Sequence, residues 1–334
     1  MATGSAVSVI MSVYNGAPHL HASVQSILQQ SFGNFELLIV NDGSTDSSSQ
    51  ILSDLASADG RIRIIERDNR GLVASLNELI AIAKSPLLAR MDSDDIAMPD
   101  RLALQVEYMA ANPQIGILGS NTHDLNENGF LQNAVEKYPL SPQDARLNLR
   151  NGPPVCHPSV LMRTEIIRIL GGYRAAFRHA EDYDLWLRAS RVTDISNLPQ
   201  RLLLYRRSPQ QISQKHAAEQ AKAAAIAWLD HMYCSEGKIS LFDHIHQLPH
   251  YDDLDALFGN DSSSAYVRRK VVERMRYSND MLKGPEFRMM LQQVRAGEGF
   301  DGVGRTILRL GRKGRMLRAV VLASAAAGLL ISNS

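Results

Sequence analysis

The sequence predicts an α/β protein: a mostly parallel central sheet with flanking helices, followed by a helical C-terminal region. Three observations predict it. Apolar runs of strand length alternate with helical patterns over the first hundred residues. The polar clusters "YNG", "NDGSTD" and "DSDD" each close one of those runs. From about 210 to 300 the chain is rich in alanine and reads as helix. Strands alternating with helices of this length indicate βαβ units and a parallel sheet covered on both faces.

The elements follow in order. "AVSVIMSVY" (6–14) is a β-branched, apolar strand, and Pro18 opens a helix with Leu20, Val24, Ile27 and Leu28 on one face. "FELLIVND" (35–42) is a second strand, and Ser44 and Thr45 are N-cap candidates for the helix after it. "RIRIIERD" (61–68), "GLVASLNELIAIAK" (71–84) and "PLLARMD" (86–92) continue as strand, helix, strand. "DRLALQVEYMAANP" reads as a helix and "IGILGSN" as a short strand, with polar turns from 122 to 154. "VCHPSVLMRTEIIRILGGY" (155–173) reads as strand then helix, "AEDYDLWLRASR" (180–191) as a helix start, and "ISNLPQRLLLYRR" (195–207) as a strand.

Composition narrows the function. A formal net charge of +1 argues against bulk nucleic-acid binding. Two cysteines are too few for a disulfide framework, so a reducing compartment is expected. The N-terminus has no basic region before its short apolar run, and no signal peptide is read there.

In open α/β sheets ligands bind outside the carboxyl ends of the strands, where these polar clusters fall. "MDSDD" packs Asp92, Asp94 and Asp95 into four positions. It reads either as a solvated acidic turn or as a site for a hard divalent cation, which prefers carboxylate oxygen. "NDGSTD" is either a polar βα turn or a place where Asp42 accepts hydrogen bonds from a base or ribose. Glu181 and Asp182 open a helix whose apolar face is Leu185, Trp186 and Ala189. They either complement the helix dipole or supply a general base. No G-x-G-x-x-G follows the first strand, which speaks against a dinucleotide dehydrogenase. "SVYNGAPHLH" has no lysine or arginine, which speaks against a nucleotidyltransferase.

The ordered set "VSVIMSVYNG", "IVNDGSTD", "ARMDSDD", "HPSVLMRTEIIRILGGY", "AEDYDLWLR" and "LLLYRR" resembles the family 2 glycosyltransferases over residues 7 to about 213. The resemblance implies an inverting enzyme of the Rossmann-like GT-A fold. It implies a nucleotide-sugar donor, usually a UDP-sugar, and a glycan or lipid-linked acceptor in cell-surface polysaccharide synthesis. On that pattern Ser12, Val13, Tyr14, Asn15 and Gly16 line the nucleobase and ribose pocket, and Asp42 meets the base. Asn69, Gly71 and Asn77 match the pattern upstream of the acidic motif. Asp92 would sit near the ribose or sugar. Asp94 would bind Mn²⁺ or Mg²⁺, with Asp92 and Asp95 beside it. Asp182 aligns with the catalytic base, with Glu181 beside it as an acceptor-binding or supporting carboxylate. Many relatives carry a histidine where this chain has Ser208; Arg206 or Arg207 could instead neutralise the leaving phosphates. His157 is either a substitute ligand or a structural histidine. Retained aspartates favour an enzyme over a non-catalytic nucleotide-sugar-binding scaffold.

The expected organisation is 1–115 as the donor half and 116–213 as the acceptor half of one domain. A helical extension over 214–300 and a tail over 301–334 complete it. The tail has no acidic residue after Asp301 but carries Arg305, Arg309, Arg312, Lys313, Arg315 and Arg318. Val303, Ile307, Leu310 and Leu317 are expected on one helical face. The stretch 319–332 would make a helix roughly 20 Å long, short of the ~30 Å hydrocarbon core. It reads as an interfacial anchor on the cytoplasmic face of a membrane, or as a helix packed on protein.

Overall fold

A computed structural model describes residues 4–126, 128–132, 137–207, 216–275, 282, 284, 286–295 and 302–332. Ser208 lies outside the described residues. The chain divides into two compact units, Met1–Ala175 with Glu181–Gln211, and Ala176–Ala180 with Ile212–Ser334.

The first unit is built on one sheet. Its strands are β1 (Val7–Val13), β2 (Phe35–Asp42), β3 (Ile62–Arg67), β4 (Leu87–Asp92) and β5 (Ile96–Ala97). They continue as β6 (Ile115–Leu125), β7 (Leu131–Gln132), β8 (Leu161–Arg163) and β9 (Asp194–Arg206). The order is β3-β2-β1-β4-β8-β6-β9-β5, with β7 paired to β6. β3, β2, β1 and β4 are parallel, as the βαβ reading expects. β8 then runs antiparallel between β4 and β6.

Helices α1 (Ala17–Leu28), α2 (Ser48–Ala58), α3 (Leu72–Ile82) and α4 (Arg101–Ala111) connect the early strands. Leu20, Val24 and Ile27 of α1 and Leu52 and Leu55 of α2 are buried with Val9, Met11, Leu37 and Ile39 of the sheet in one core. Three further helices belong to this unit: α5 (Pro142–Asn148), α6 (Thr164–Ile169) and α7 (Glu181–Ala189).

Two expectations are corrected here. β6 is not a short strand but runs on through Leu125, because Thr122 and Asp124 are buried where β9 lies alongside and Arg207 pairs with Asp124. α2 starts at Ser48 rather than directly after Ser44 and Thr45, for reasons given below.

The second unit is helical: α8 (Ala217–Ser235), α9 (Leu254–Phe258), α10 (Ser263–Met275), α11 (Glu286–Arg295), α12 (Val303–Arg312) and α13 (Met316–Ser332). Val271 and Val272 of α10, Met290 and Val294 of α11, Leu310 of α12, and Ala319 and Leu322 of α13 share one buried cluster. The tail therefore packs on protein. Gly314 (φ 69°) separates α12 from α13, so Leu317 does not continue the face of Leu310; it is 79% exposed. No helix among the described residues is long and apolar enough to cross a membrane.

Candidate active site

The strand ends meet as the sheet register dictates: Ser12 lies opposite Asp92, Val13 opposite Asn41, and Asp42 opposite Arg67. The loops after β1 and β2 are laced together. The Asn15 backbone N–H donates to Ser44 Oγ (2.9 Å), Thr45 N–H donates to Asn15 Oδ1 (2.8 Å), and Gly16 N–H donates to Ser48 Oγ (3.0 Å). Asp46 accepts from the N–H groups of Ala17 and Ser48. Because Ser44 and Thr45 serve this lacing, they do not cap α2. Asn15 sits at φ 52°, a left-handed conformation that asparagine tolerates better than most residues. The tip leaves Tyr14 exposed, which suits a ring that would stack on a base.

Asp42 is buried and heavily engaged. Its carboxylate accepts from the N–H groups of Arg70 (2.9 Å) and Gly71 (2.8 Å) and pairs with Arg67 (2.9 Å). It thereby fixes the loop that leads into α3. Gly43 (φ 74°) presses on that loop; a Cβ there would stand 2.6 Å from the Asn69 backbone nitrogen.

The aspartates of "DSDD" have a positive partner that no motif reading singled out. Arg90, 3% exposed in β4, forms a bidentate pair with Asp92. Burial works against its charge, but Asp92, Tyr173 and Asp95 outweigh that and hold it firmly protonated. The signal was available: an arginine inside an apolar strand, two positions before Asp92, faces the same side of the sheet.

Asp94 and Asp95 remain short of positive charge. Burial, then the neighbouring Asp92, pushes the Asp94 carboxyl up to about 6. Burial, then Asp92 and Asp94, raises Asp95 well above the usual carboxylate range. Asp95 Oδ1 accepts from the Arg206 N–H (2.8 Å), while its buried Oδ2 has no hydrogen-bond partner. Ligand oxygens of Asp92, Asp94 and Asp95 lie within 4.8 Å of one another. Hard oxygen donors, an orphaned buried oxygen and uncompensated negative charge fit a divalent cation such as Mg²⁺ or Mn²⁺.

Arg206 is a scaffold for this turn. It is 6% exposed, and its Nε donates to the Asp94 carbonyl (2.9 Å) and its Nη1 to that of Asn126 (3.3 Å). Arg207 is more exposed, lying over the Tyr205 ring (4.8 Å) and 3.4 Å from Asp124.

Asp182 and Glu181 stand in the first turn of α7. Burial raises the Asp182 pKa; Arg90 opposes that shift and Asp92 adds to it. Tyr173 feels the same set: burial raises its hydroxyl, Arg90 counters, and Asp182, Glu181 and Asp92 reinforce. The buried Arg90 guanidinium therefore acts electrostatically on both the D-x-D-D turn and the start of α7. His157 donates or accepts at the Tyr173 hydroxyl (2.7 Å) and meets Trp186 edge-on (5.7 Å), with burial, then Arg90, keeping it neutral. That is the structural reading of His157.

Two clamps hold this wall. Asn77 accepts from Tyr173 N–H and donates to the Tyr173 carbonyl, both at 2.8 Å, which gives this residue a positioning role. Asp184, 1% exposed, pairs with Arg174 and with Arg188 one turn on, and Arg188 also donates to the carbonyls of Leu170 and Gly172.

Comparison with known proteins agrees with this architecture. The model for glycosyl transferase family 2 matches residues 8–170. The putative glycosyltransferase EpsE of Bacillus subtilis is 36% identical over 192 residues, 56% of this chain and 68% of its own length. This chain belongs to glycosyl transferase family 2. The transferase is also similar to WfgD of Escherichia coli, a UDP-Glc:alpha-D-GlcNAc-diphosphoundecaprenol beta-1,3-glucosyltransferase. The two are 32% identical over 193 residues, 57% of this chain and 72% of that one. Among solved structures, S. aureus TarS 1–349 in complex with UDP-GlcNAc gives a TM-score of 0.58 at 15% identity. The match covers 96% of this chain and 92% of that one, and the shared fold is GT-A.

Proposed function

We propose that this transferase moves a sugar from a UDP-sugar to a hydroxyl of a glycan or lipid-linked acceptor, with inversion, during cell-surface polysaccharide synthesis. The observation that carries the reading is that the buried Arg90, which pairs with Asp92 of the D-x-D-D turn, also acts electrostatically on Asp182. A carboxylate whose pKa is raised by burial stands where the same guanidinium also holds Asp92. WfgD acts with UDP-Glc on a diphosphoundecaprenol-linked sugar, and TarS was solved with UDP-GlcNAc, which supports the donor and acceptor classes.

In this reading Ser12 to Gly16 and Asp42 seat the nucleoside, with Tyr14 against the base and Asn69 and Gly71 shaping the floor. Asp182 accepts the proton of the acceptor hydroxyl as that oxygen attacks the anomeric carbon, and Glu181 orients the acceptor. Asp94, with Asp92 and Asp95, would hold the divalent cation, which neutralises charge on the departing diphosphate. Arg206 fixes the turn that carries Asp94 and Asp95, and Arg207 is placed for the phosphates. General-base catalysis contributes about 10²–10⁴-fold. Asp182→Asn is therefore expected to lose turnover by at least that lower factor while binding UDP as the wild type does. Turnover near wild type would remove Asp182 from the role of base. A wild-type protein that binds UDP-sugars and transfers none would be a scaffold on this fold.

The tail supports a peripheral contact with the membrane that would hold a lipid-linked acceptor. Arg305, Arg309, Arg312, Lys313 and Arg315 share one stretch with exposed Leu308, Met316, Leu317 and Val320. Vesicles containing anionic lipid should co-sediment the protein at low salt; no co-sedimentation would argue against that contact.

A further inference from the structure

Helix α1 runs along the D-x-D-D turn on one stripe of side chains. Positions three or four apart share a helix face, and Gly16, His19, Ser23 and Ser26 are so spaced. All but His19 meet residues 92–97 directly. A Cβ on Gly16 would stand 3.2 Å from Ser93 Oγ. Ser23 Oγ donates to the Asp92 carbonyl (2.7 Å), and Ser26 Oγ accepts from the Ala97 N–H (3.0 Å). Gln30, one step further, donates to the Met98 carbonyl (2.7 Å). The His19 imidazole, between Gly16 and Ser23 on this stripe, makes no hydrogen bond or ion pair among the described residues.

A histidine on a helix surface is ordinarily solvated. His19 is instead half-buried, and burial, then the charge of Arg206, lowers its pKa. Arg206 donates its backbone N–H to Asp95 and its Nε to the Asp94 carbonyl, so the charge that reaches His19 is the one that holds this turn. The imidazole therefore lies beside the turn, as the stripe requires. It is not a ligand of the ion: the ligand atoms that close within 4.8 Å are those of Asp92, Asp94 and Asp95. Backbone donors at this end of α1 are already spent. Gly16 N–H goes to Ser48 (3.0 Å) and Ala17 N–H to Asp46 (3.1 Å), and Pro18 has none. The His19 side chain is what this end of α1 can still offer an anion drawn to the turn.

We propose that His19 contacts the donor's diphosphate: its imidazole N–H donates to a phosphate oxygen of the nucleoside diphosphate held at the D-x-D-D turn. This rests on reading that turn as the seat of a cation and a nucleotide. The neutral ring already carries one N–H, so the contact needs no added proton. The charge of Arg206, which disfavours a protonated ring, favours the anion that the ring contacts. Helix α1 thereby shares in neutralising the leaving group, on the side of the turn opposite no other titratable member of its stripe. His21, two residues on, points away from the stripe, is exposed, and takes no part.

Acylation of histidine by diethyl pyrocarbonate, mapped by mass spectrometry on the full wild-type chain, tests the contact at the residue itself. Inorganic pyrophosphate with Mn²⁺ should slow acylation of His19 severalfold, and UDP with Mn²⁺ should do the same. Mn²⁺ alone and uridine should not, and His21 should react at one rate throughout. His19→Ala should weaken binding of pyrophosphate and of UDP by about fivefold, the worth of one hydrogen bond, with Mn²⁺ affinity unchanged. His19→Gln, which keeps an N–H donor, should recover most of that loss. Protection by pyrophosphate but not by UDP would keep His19 at a diphosphate site and count against the nucleotide reading instead. Acylation of His19 unaffected by pyrophosphate would overturn the proposal. So would protection by Mn²⁺ alone, which would make His19 a ligand of the ion.

Discussion

A guanidinium as buried as Arg90 has no water to share its charge with, so its worth is set by the carboxylates it faces. Breaking a buried pair from one side costs about 3–5 kcal/mol. Arg90→Met should cost about 3 kcal/mol, the low end, because the Asp92 side chain is about a third exposed and water can recover part of its charge. Urea denaturation checks it, and a change within error would remove Arg90 from the centre of the site. Asp182 gives a pH prediction. A base whose folded pKa is raised stays protonated, and idle, until the pH exceeds that raised value. The acid limb of kcat/KM should therefore lie above the usual aspartate pKa of about 3.9. Arg90 opposes the shift, so in Arg90→Met the limb should move higher still. A limb at the ordinary aspartate value would contradict the burial argument. Asp42, Asp92, Asp94 and Asp182 were legible because acidic residues at strand and helix ends stand out against apolar runs. Arg90 was legible only as an arginine two positions before Asp92 on the same side of a buried strand; its reach to Tyr173 and Asp182 is set by the fold.

At the scale of elements, α7 is positioned by ion pairs as well as by its apolar face. Leu185, Trp186 and Ala189 are buried as the helical period predicts, but Asp184 between them anchors Arg174 and Arg188. Asp184→Ala leaves two buried guanidinium groups facing each other and should cost about 3–5 kcal/mol in thermal or urea unfolding. A loss under 1 kcal/mol would show that the pair is not holding the wall. Asn77→Ala removes both hydrogen bonds to the Tyr173 backbone and should cost about 1–3 kcal/mol. Turnover should fall with it while UDP affinity stays close to wild type, since Asn77 positions the wall beside Asp182. The parallel βαβ elements were legible from period alone. α2 and β6 were misjudged for a common reason: polar side chains were assigned to caps and turns when tertiary partners claim them. Ser44 and Thr45 are claimed by Asn15, and Asp124 by Arg207.

Across the whole molecule, the described residues pack one buried cluster between the sheet and α1 and α2 and another among the C-terminal helices. The apolar content of 319–332 leaves open whether it faces lipid or protein, and the buried positions of Ala319 and Leu322 decide for protein along that face. Leu322→Ala should destabilise the second unit by about 2–5 kcal/mol, read as faster hydrogen exchange in α10 and α11. Unchanged exchange there would contradict the packing. In the proposed reading, the strand ends of the first unit seat UDP, and its aspartates need a cation to hold the diphosphate. The most direct test is thermal stability against UDP, GDP, CDP and NAD, each with and without Mn²⁺. A ligand at a hundred times its dissociation constant adds about 2.7 kcal/mol, which is readily resolved. UDP should raise the melting temperature with Mn²⁺ and far less without it, and Asp94→Asn should remove the difference. An equal response with and without Mn²⁺, or none to any nucleotide, would contradict that reading.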